Sequence, residues 1–375
     1  MKILISISYY HPNISGLTLY AKRIAEEMSK KGHNVKVLTS LHDKSFPSKA
    51  LENGVEVHRV WTPFKFGRGP IMPTHFIKAL KLSLWADVIN IHVPQFEGVF
   101  LAVFAKIFGK KIIMTHHCEL SNWPGLVNQI TEKVTNLSLV VQGTLSDKIV
   151  SYTKDYSSNS KYLKRFKDKV VLTFPPVKLE AKSNKKVTKN FSKAKYKIGF
   201  AGRIAKEKGI EYLLQAIPTL KSKLGEDIKI YLAGPSDEVI GGGYKFQLSS
   251  LINKHESNIE FVGSLTQAEM PSFYNFIDVL VLPSYEKIES FGFVQVESML
   301  SGTPVVASNI PGVRIPVKKT GMGELSKLKD PKDLAKKIVK ILKNKRKYYK
   351  RIKKAKKIFS YESSINFYDK LFDEK

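Results

Sequence analysis

Cysteine is all but absent. Cys118 stands alone in 375 residues, which excludes an internal disulfide framework and a cysteine-based zinc site and fits a reducing compartment. No apolar run approaches the roughly 18 residues that cross a bilayer, so an integral membrane protein is not expected. The opening MKILISISYY has a lysine and an apolar run, but Ser6 and Ser8 interrupt it and no small-residue cleavage site follows. It reads as a buried first strand, and the expected location is the cytoplasm. No fixed period recurs along the chain, which excludes a solenoid. Acidic residues are scarce, 33 against 62 Lys and Arg, for a net charge of +29. That excess admits nucleic acid, an anionic membrane face or an anionic small substrate as partner, and a lysine-rich genome would also produce it.

What is present is a globular composition, 43% hydrophobic with 25% charged residues, in a chain long enough for two domains of about 150 to 190 residues. Strand-like runs KILISIS, HNVKVLTS, VEVHRVW, DVINIH, KKIIMTHH and LSLVVQG alternate with amphipathic stretches such as LTLYAKRIAEEMSKKG. This alternation predicts a parallel sheet with helices on both faces. In the first helix Leu19, Ile24, Ala25 and Met28 form the apolar stripe, and Gly32 stands where a carboxyl-terminal cap is wanted. From 179 to 195 the chain turns polar and lysine-rich, which predicts a linker or exposed excursion. The alternation then restarts with KIGFAGR, IKIYLAGP, IEFVGS, VLVLPS and PVVAS. The fold class expected is α/β with two similar halves. The basic segment 331–359 begins with Leu334, Ile338, Ile341 and Leu342 at helical spacing, so its first half is expected to pack one face and leave its lysines in water. Its second half, KNKRKYYKRIKKAKKIF, reads as a solvated helix or as a contact for a membrane surface or polyanion.

Ligands of parallel α/β sheets bind beyond the carboxyl ends of strands, where helix amino termini offer free N–H groups to anions. Three such places carry more than loop chemistry. After KIGFA come Gly202-Arg203 and then Lys208-Gly209, a guanidinium fork and a mobile ammonium suited to a diphosphate, or simply two surface cations. After VLVLPS comes ESFGFVQVE. Gly302 closes a helix predicted over roughly 291–301, so Glu297 falls inside that helix and Glu289 in the loop before it. Singly, these acids read as a dipole partner and a solvated charge. Phe291, Phe293, Val294 and Val296 mark a packed segment, where two acids are costly unless something pairs with them. After KKIIMT come His116 and His117, either hydrogen-bonded structural residues or reactive ones.

Together these pieces resemble the retaining GT-B-fold glycosyltransferases of glycosyltransferase family four. The resemblance rests on Ser15-Gly16, Gly32-His33-Asn34-Val35, Thr115-His116-His117, Gly202-Arg203 with Lys208-Gly209, Phe261-Val262-Gly263, Pro283-Ser284, Glu289 to Glu297, Gly302-Thr303-Pro304-Val305-Val306 and a closing FSYE. It implies two Rossmann-like domains with parallel sheets facing across a cleft: an acceptor-binding domain at 1–178, the excursion at 179–195, a nucleotide-sugar-binding domain at 196–357, and a last helix within 358–375 that packs back toward the first domain. It implies that Arg203 and Lys208 hold the donor diphosphate, neutralising charge on the leaving group. Glu297 would accept from ribose hydroxyls, and Glu289 with Ser290, Phe291, Gly292, Phe293 and Val294 would grip the sugar. Gly16 would admit close backbone approach, and Gly234 and Val262 would pack against the base. His117 would line the reaction centre, with His116 beside it on the acceptor side.

The chain departs from the family pattern at Ser15, where many relatives have glycine. It also has Cys118 after the histidines, where an acid is often found, and Arg314 in the glycine loop after PVVAS. No Asp-x-Asp occurs, so no metal is expected as a cofactor, and Lys and Arg would serve as the electrophile. The expected substrates are a nucleotide-diphosphate sugar and a hydroxyl acceptor, either a lipid, a lipid-linked saccharide or another surface-glycan precursor. Trp61, Phe64, Phe66 and Trp85 interleaved with Lys65, Arg68 and Lys78 suit a peripheral contact with an anionic membrane. A GT-B sugar-nucleotide epimerase or sugar-phosphate synthase is the alternative activity. A nucleic-acid-binding protein is the remote one, since no reading motif or stacking platform accompanies the charge.

Overall fold

The computed structural model describes residues 1–66, 69–120, 125–235 and 243–374. The chain divides into two compact units, Met1–Pro176 with Tyr361–Lys375, and Val177–Ser360.

The first unit contains β1 (Lys2–Ser6), β2 (Asn34–Leu41), β3 (Lys49–Glu52), β4 (Val55–Trp61), β5 (Phe64–Phe66), β6 (Gly69–Ile71), β7 (Val88–Val93), β8 (Lys111–His116), β9 (Lys148–Ser151) and β10 (Val170–Leu172). All but β5 and β6 form one sheet in the order β10-β9-β8-β7-β1-β2-β4-β3, parallel except where β3 runs antiparallel to β4. Strand β7, VINIHV, is buried throughout, as a strand covered on both faces must be. Its alternation sorts the two faces by chemistry. Ile89, Ile91 and Val93 join Ile112 and Met114 of β8 in an apolar core with Leu82, Leu101 and Leu139. On the opposite side Asn90 and His92 meet Thr115 and His117 in hydrogen bonds. The carboxyl-terminal helix Tyr361–Asp373 completes that polar side: the Tyr368 hydroxyl lies 2.9 Å from Tyr20 Oη and 2.9 Å from Thr115 Oγ1.

The run LSLVVQG is not a strand. It lies in the helix Leu126–Leu145, and the strand that follows it is β9. Its apolar residues look alternating, but burial follows helical spacing: Ser138, Leu139, Gln142 and Gly143 are buried while Leu137 is exposed. Gln142 Nε2 then donates to Ser138 Oγ one turn back, at 2.9 Å, and to the Gln95 carbonyl at 2.8 Å.

The second unit contains β11 (Tyr196–Ala201), β12 (Ile228–Ala233), β13 (Ile259–Gly263), β14 (Val279–Leu282), β15 (Val305–Ser308) and β16 (Gly323–Ser326) in one all-parallel sheet, ordered β13-β12-β11-β14-β15-β16. This is the doubly wound order, with its reversal between β11 and β14. The lysine-rich stretch 179–195 forms turns without strand or helix and stays with this unit. Phe191 packs edge-on to Phe276 at 5.4 Å, and Asn184 N–H donates to Ser272 Oγ at 2.8 Å. The helix Pro331–Lys343, capped by Asp330 on Asp333 N–H at 2.9 Å, buries Leu334, Ile338, Ile341 and Leu342. The basic stretch after it is two short helices, Lys345–Tyr349 and Ile352–Ile358. There Tyr348 is buried and donates to Glu324 at 2.8 Å while Tyr349 is exposed.

Because Leu139 fills the core beneath its helix, Leu139→Ala should cost roughly 2 to 4 kcal/mol in chemical denaturation of the first unit, whereas exposed Leu137→Ala should cost little.

Candidate active site

The reversal of strand order in the second unit separates the loops after β11 and β14, and such a reversal is where open parallel sheets bind ligands. The strands β11, β12 and β13 end in or are followed by glycines with positive φ, and at one of them the backbone leaves no room for a side chain. Gly234, after β12, has φ +143°, and a Cβ on it would sit 2.0 Å from the Gly202 carbonyl oxygen. Gly202 N–H donates to Ala233 O at 2.9 Å, and Gly234 N–H to Gly263 O at 2.8 Å, so the ends of β11, β12 and β13 are stitched together. The register slips between Leu232 and Ala233, whose partners are Phe261 and Gly263; Val262 is left as the extra residue of a bulge.

From the β11 loop come Arg203 and Lys208, and from the β14 loop comes Glu289. Lys208 Nζ lies 2.5 Å from Glu289 Oε2. Sequence reading assigned these two residues to different parts of a ligand; the fold brings them together as an ion pair across the reversal. Arg203 pairs with Glu207, four residues on, at 2.9 Å. Glu207 was missed, although its i,i+4 spacing from Arg203 was visible. Gly209, with φ +67°, lets the chain turn against the Pro283 carbonyl, which a Cβ would meet at 2.4 Å.

Glu297 lies in the helix Phe293–Leu300 and is buried, accepting a 2.7 Å hydrogen bond from Tyr274 Oη. Burial and the neighbouring carboxylate push the Tyr274 hydroxyl well above its ordinary range, so it stays a donor. No local signal could have found Tyr274, 23 residues away. Ser290 and Phe291 are buried, and Phe291 packs on Phe293 at 6.1 Å and Phe359 at 6.0 Å. Gly292 caps the helix start at φ +77°, where a Cβ would meet Leu282 Cδ2 at 2.5 Å. Phe293 and Val294, half-buried, begin that helix.

In the first unit Gly16 opens the helix Gly16–Lys30, and Ser15 caps it by accepting from Thr18 N–H at 3.1 Å. His116 and His117, at the end of β8, are both 1% exposed. They point to opposite sides of the sheet. His116 stacks on Tyr162 at 5.1 Å, and its Nδ1 is buried without a hydrogen-bond partner. His117 Nε2 lies 2.9 Å from His92 Nδ1, and its Nδ1 is hydrogen-bonded to Tyr152 Oη. His92 Nε2 continues the chain to Asn90 Oδ1 at 2.8 Å. Burial holds His92 down to about 3 and His116 to about 4, and drives His117 well below the ordinary 6.5. The basic-aromatic patch is only partly a surface. Trp61 and Phe64 are exposed, whereas Trp85 is half-buried with Lys36 Nζ 4.4 Å from its ring. The Phe66 side chain and Arg68 lie outside the described residues.

A family model described as "Glycosyltransferase Family 4" matches residues 14–165, and one described as "Glycosyl transferases group 1" matches 181–358. The chain belongs to the family-4-like glycosyltransferases of the GT-B fold. It is 26% identical over 361 residues to an uncharacterized glycosyltransferase of Methanocaldococcus jannaschii, spanning 89% of this chain and 87% of that one. Sucrose-phosphate synthase from Thermosynechococcus elongatus superposes with a TM-score of 0.78 at 18% identity, covering 99% of this chain and 98% of the other. Anabaena HepE in complex with UDP and glucose superposes with a TM-score of 0.78 at 18% identity, covering 100% of each. Both GT-B units of this glycosyltransferase are thus Rossmann-like. Among the described residues no group of three or more His, Cys, Asp or Glu is disposed to hold a metal ion, and no helix is long and apolar enough to cross a membrane.

The buried histidines set a pH dependence. Below its ordinary 6.5 an unfolded histidine takes up a proton that folded His75, held down to about 4 by burial, refuses. His92 and His116 behave alike, so the stability of the first unit should fall as pH drops from 6.5 toward 4. Each such group contributes roughly 2 kcal/mol between about pH 7 and pH 5. His75→Leu should flatten the profile by about that amount in denaturant titrations across this window.

Proposed function

We propose that this glycosyltransferase moves a hexose from a nucleotide-diphosphate sugar to a hydroxyl acceptor with retention of anomeric configuration, and that the acceptor is a lipid, a lipid-linked saccharide or another surface-glycan precursor. The observation that carries the reading is the pairing of Lys208 and Glu289 across the reversal of the six-stranded sheet, with Arg203 on the same loop as Lys208. Cations and a carboxylate brought together at a strand-order reversal support this reading, since an anionic leaving group calls for the first and sugar hydroxyls for the second.

In this reading Arg203 and Lys208 hold the diphosphate. As the bond from C1 to the leaving phosphate oxygen breaks, they stabilise the oxyanion that Mg²⁺ would otherwise bind. Glu289 accepts from the sugar, helped by the backbone N–H groups around Phe291 to Val294, while Glu297, oriented by Tyr274, accepts from the ribose. Gly234 and bulged Val262 flank the base. Gly16, lacking a side chain, leaves the backbone at its helix start open to close approach by a ligand. The ring nitrogens of His117 are engaged by His92 and Tyr152, which favours holding the end of β8 beside the reaction centre over proton transfer. His116 would support the acceptor side. The acceptor oxygen forms the new bond to C1, and its proton passes to the departing phosphate if attack comes from the same face.

A thermal-shift screen with UDP, GDP, ADP and CDP should show one nucleotide stabilising the protein strongly, and UDP, present in the HepE complex, is the first to test. Product analysis with a labelled donor should give a glycoside; an epimerised nucleotide sugar would refute transfer. Arg203→Ala and Lys208→Ala should each lower kcat by about 10²- to 10³-fold. Glu297→Ala should weaken donor binding by roughly tenfold, read as KM. Activity should persist in EDTA, and a complete, metal-reversible loss would overturn the assignment of the electrophile to Arg203 and Lys208.

A further inference from the structure

Three successive helices of the first unit, His75–Trp85, Gly98–Ile107 and Leu126–Leu145, lie side by side, with the middle one touching both others. Their inner faces cover the apolar side of the sheet through Ala79, Leu82, Leu101 and Leu139. An ordinary surface helix would be polar on its outer face. These three are not.

On the first helix Phe76, Leu80 and Leu84, one turn apart, are 47%, 38% and 56% exposed. On the second, Val103 and Ile107 repeat the spacing, and Ile107 is 67% exposed. On the third, Ile130, Val134 and Leu137 make a matching stripe, with Leu137 67% exposed. A solvent-facing layer with three parallel apolar stripes is far from the scattered single residues that a soluble surface tolerates.

The charges around the stripes choose the occupant. Across the three helices there are four lysines, Lys78, Lys81, Lys106 and Lys133, and a single acid, Glu132. Lys78, Lys81, Lys106 and Lys133 are all exposed. A second copy of this face would set lysines against lysines. An anionic lipid surface accepts both features, since apolar side chains insert at the level of the acyl boundary while ammonium groups meet headgroups.

We infer that this three-helix layer is a docking face for an anionic membrane. The inference rests on the reading that the acceptor is presented at a lipid surface, and it names a different part of the molecule from the basic-aromatic patch legible in the sequence. Trp85, which belonged to that patch, is turned toward Lys36, while the exposed stripes run over helices that carry no tryptophan on the outside.

The test uses the full chain and two surface variants, Leu80→Asp/Ile107→Asp/Leu137→Asp and Lys78→Gln/Lys106→Gln/Lys133→Gln. Binding is measured by flotation with vesicles of equal parts phosphatidylcholine and phosphatidylglycerol, and with vesicles of phosphatidylcholine alone. The unaltered chain should float with the anionic vesicles. The aspartate variant should lose roughly tenfold or more of that binding at any salt. The glutamine variant should lose it mainly at low salt, where the unaltered chain binds best. Nucleotide-dependent thermal shifts should be the same in all three proteins, which verifies folding and reports separately on donor binding. The inference is overturned if the unaltered chain ignores anionic vesicles, if the aspartate variant binds them undiminished, or if sedimentation shows that the face is buried in a dimer that the aspartate variant dissociates.

Discussion

Backbone meeting backbone at the ends of parallel strands is the constraint on which the second unit's site depends. The Gly202 carbonyl occupies the space where a side chain on Gly234 would begin, and the two glycines hold φ near +140°, which L side chains rarely adopt. That approach lets β11, β12 and β13 end together, and it sets the direction in which the chain leaves β11 carrying Arg203 and Lys208. Further along the loop after β11, Gly209 comes against the Pro283 carbonyl, and on the other side of the reversal Gly292 leaves room for the Leu282 side chain. The Lys208–Glu289 pair spans the two loops that these glycines shape. The pair is half-buried and charge-assisted, so each member holds the other's direction.

The first unit solves a different problem. Its central strands carry Asn90, His92, Thr115 and His117 on one face, and every one of these groups is buried. Burial of that many polar atoms is tolerable only when they satisfy one another, and they do, in a chain from Asn90 through His92 and His117 to Tyr152, with Thr115, Tyr368 and Tyr20 beside it. The low proton affinity of these histidines follows from the same burial. Tyr368 arrives from the far end of the sequence, so the last helix is part of this unit's interior as much as any strand of its sheet. The opposite face of the sheet is mainly apolar, with His116 set among its side chains, and the helices above it carry apolar residues on both of their faces.

Strands in the sequence were legible where β-branched and aliphatic runs ended in glycine or a small-residue turn, as at Lys2–Ser6, Tyr196–Ala201 and Val279–Leu282. LSLVVQG misled because its apolar residues alternate over a short stretch, and only the neighbouring sheet decides that Leu139 and Gln142 turn inward while Leu137 turns out. The loop placement of Glu289 and the helical placement of Glu297 followed from Gly302 closing the helix. Their partners did not. Lys208 is 81 positions from Glu289, and Tyr274 has no spacing that marks it as the donor to Glu297. Trp85 read as a surface aromatic because nothing local shows that a lysine of β2 lies above its ring.

By itself, then, the sequence determined the alternation of strands and helices, the two-unit organisation, and the residue types from which a site for an anionic sugar donor could be built. These follow from local periodicity, glycine positions and charge, which act within a few residues. The tertiary structure alone decided which cation meets which acid, which histidine faces the polar interior and which the apolar one, and that three helices share an exposed apolar face. Those are properties of strand order and face, and a parallel sheet sets them by bringing together segments that are distant along the chain.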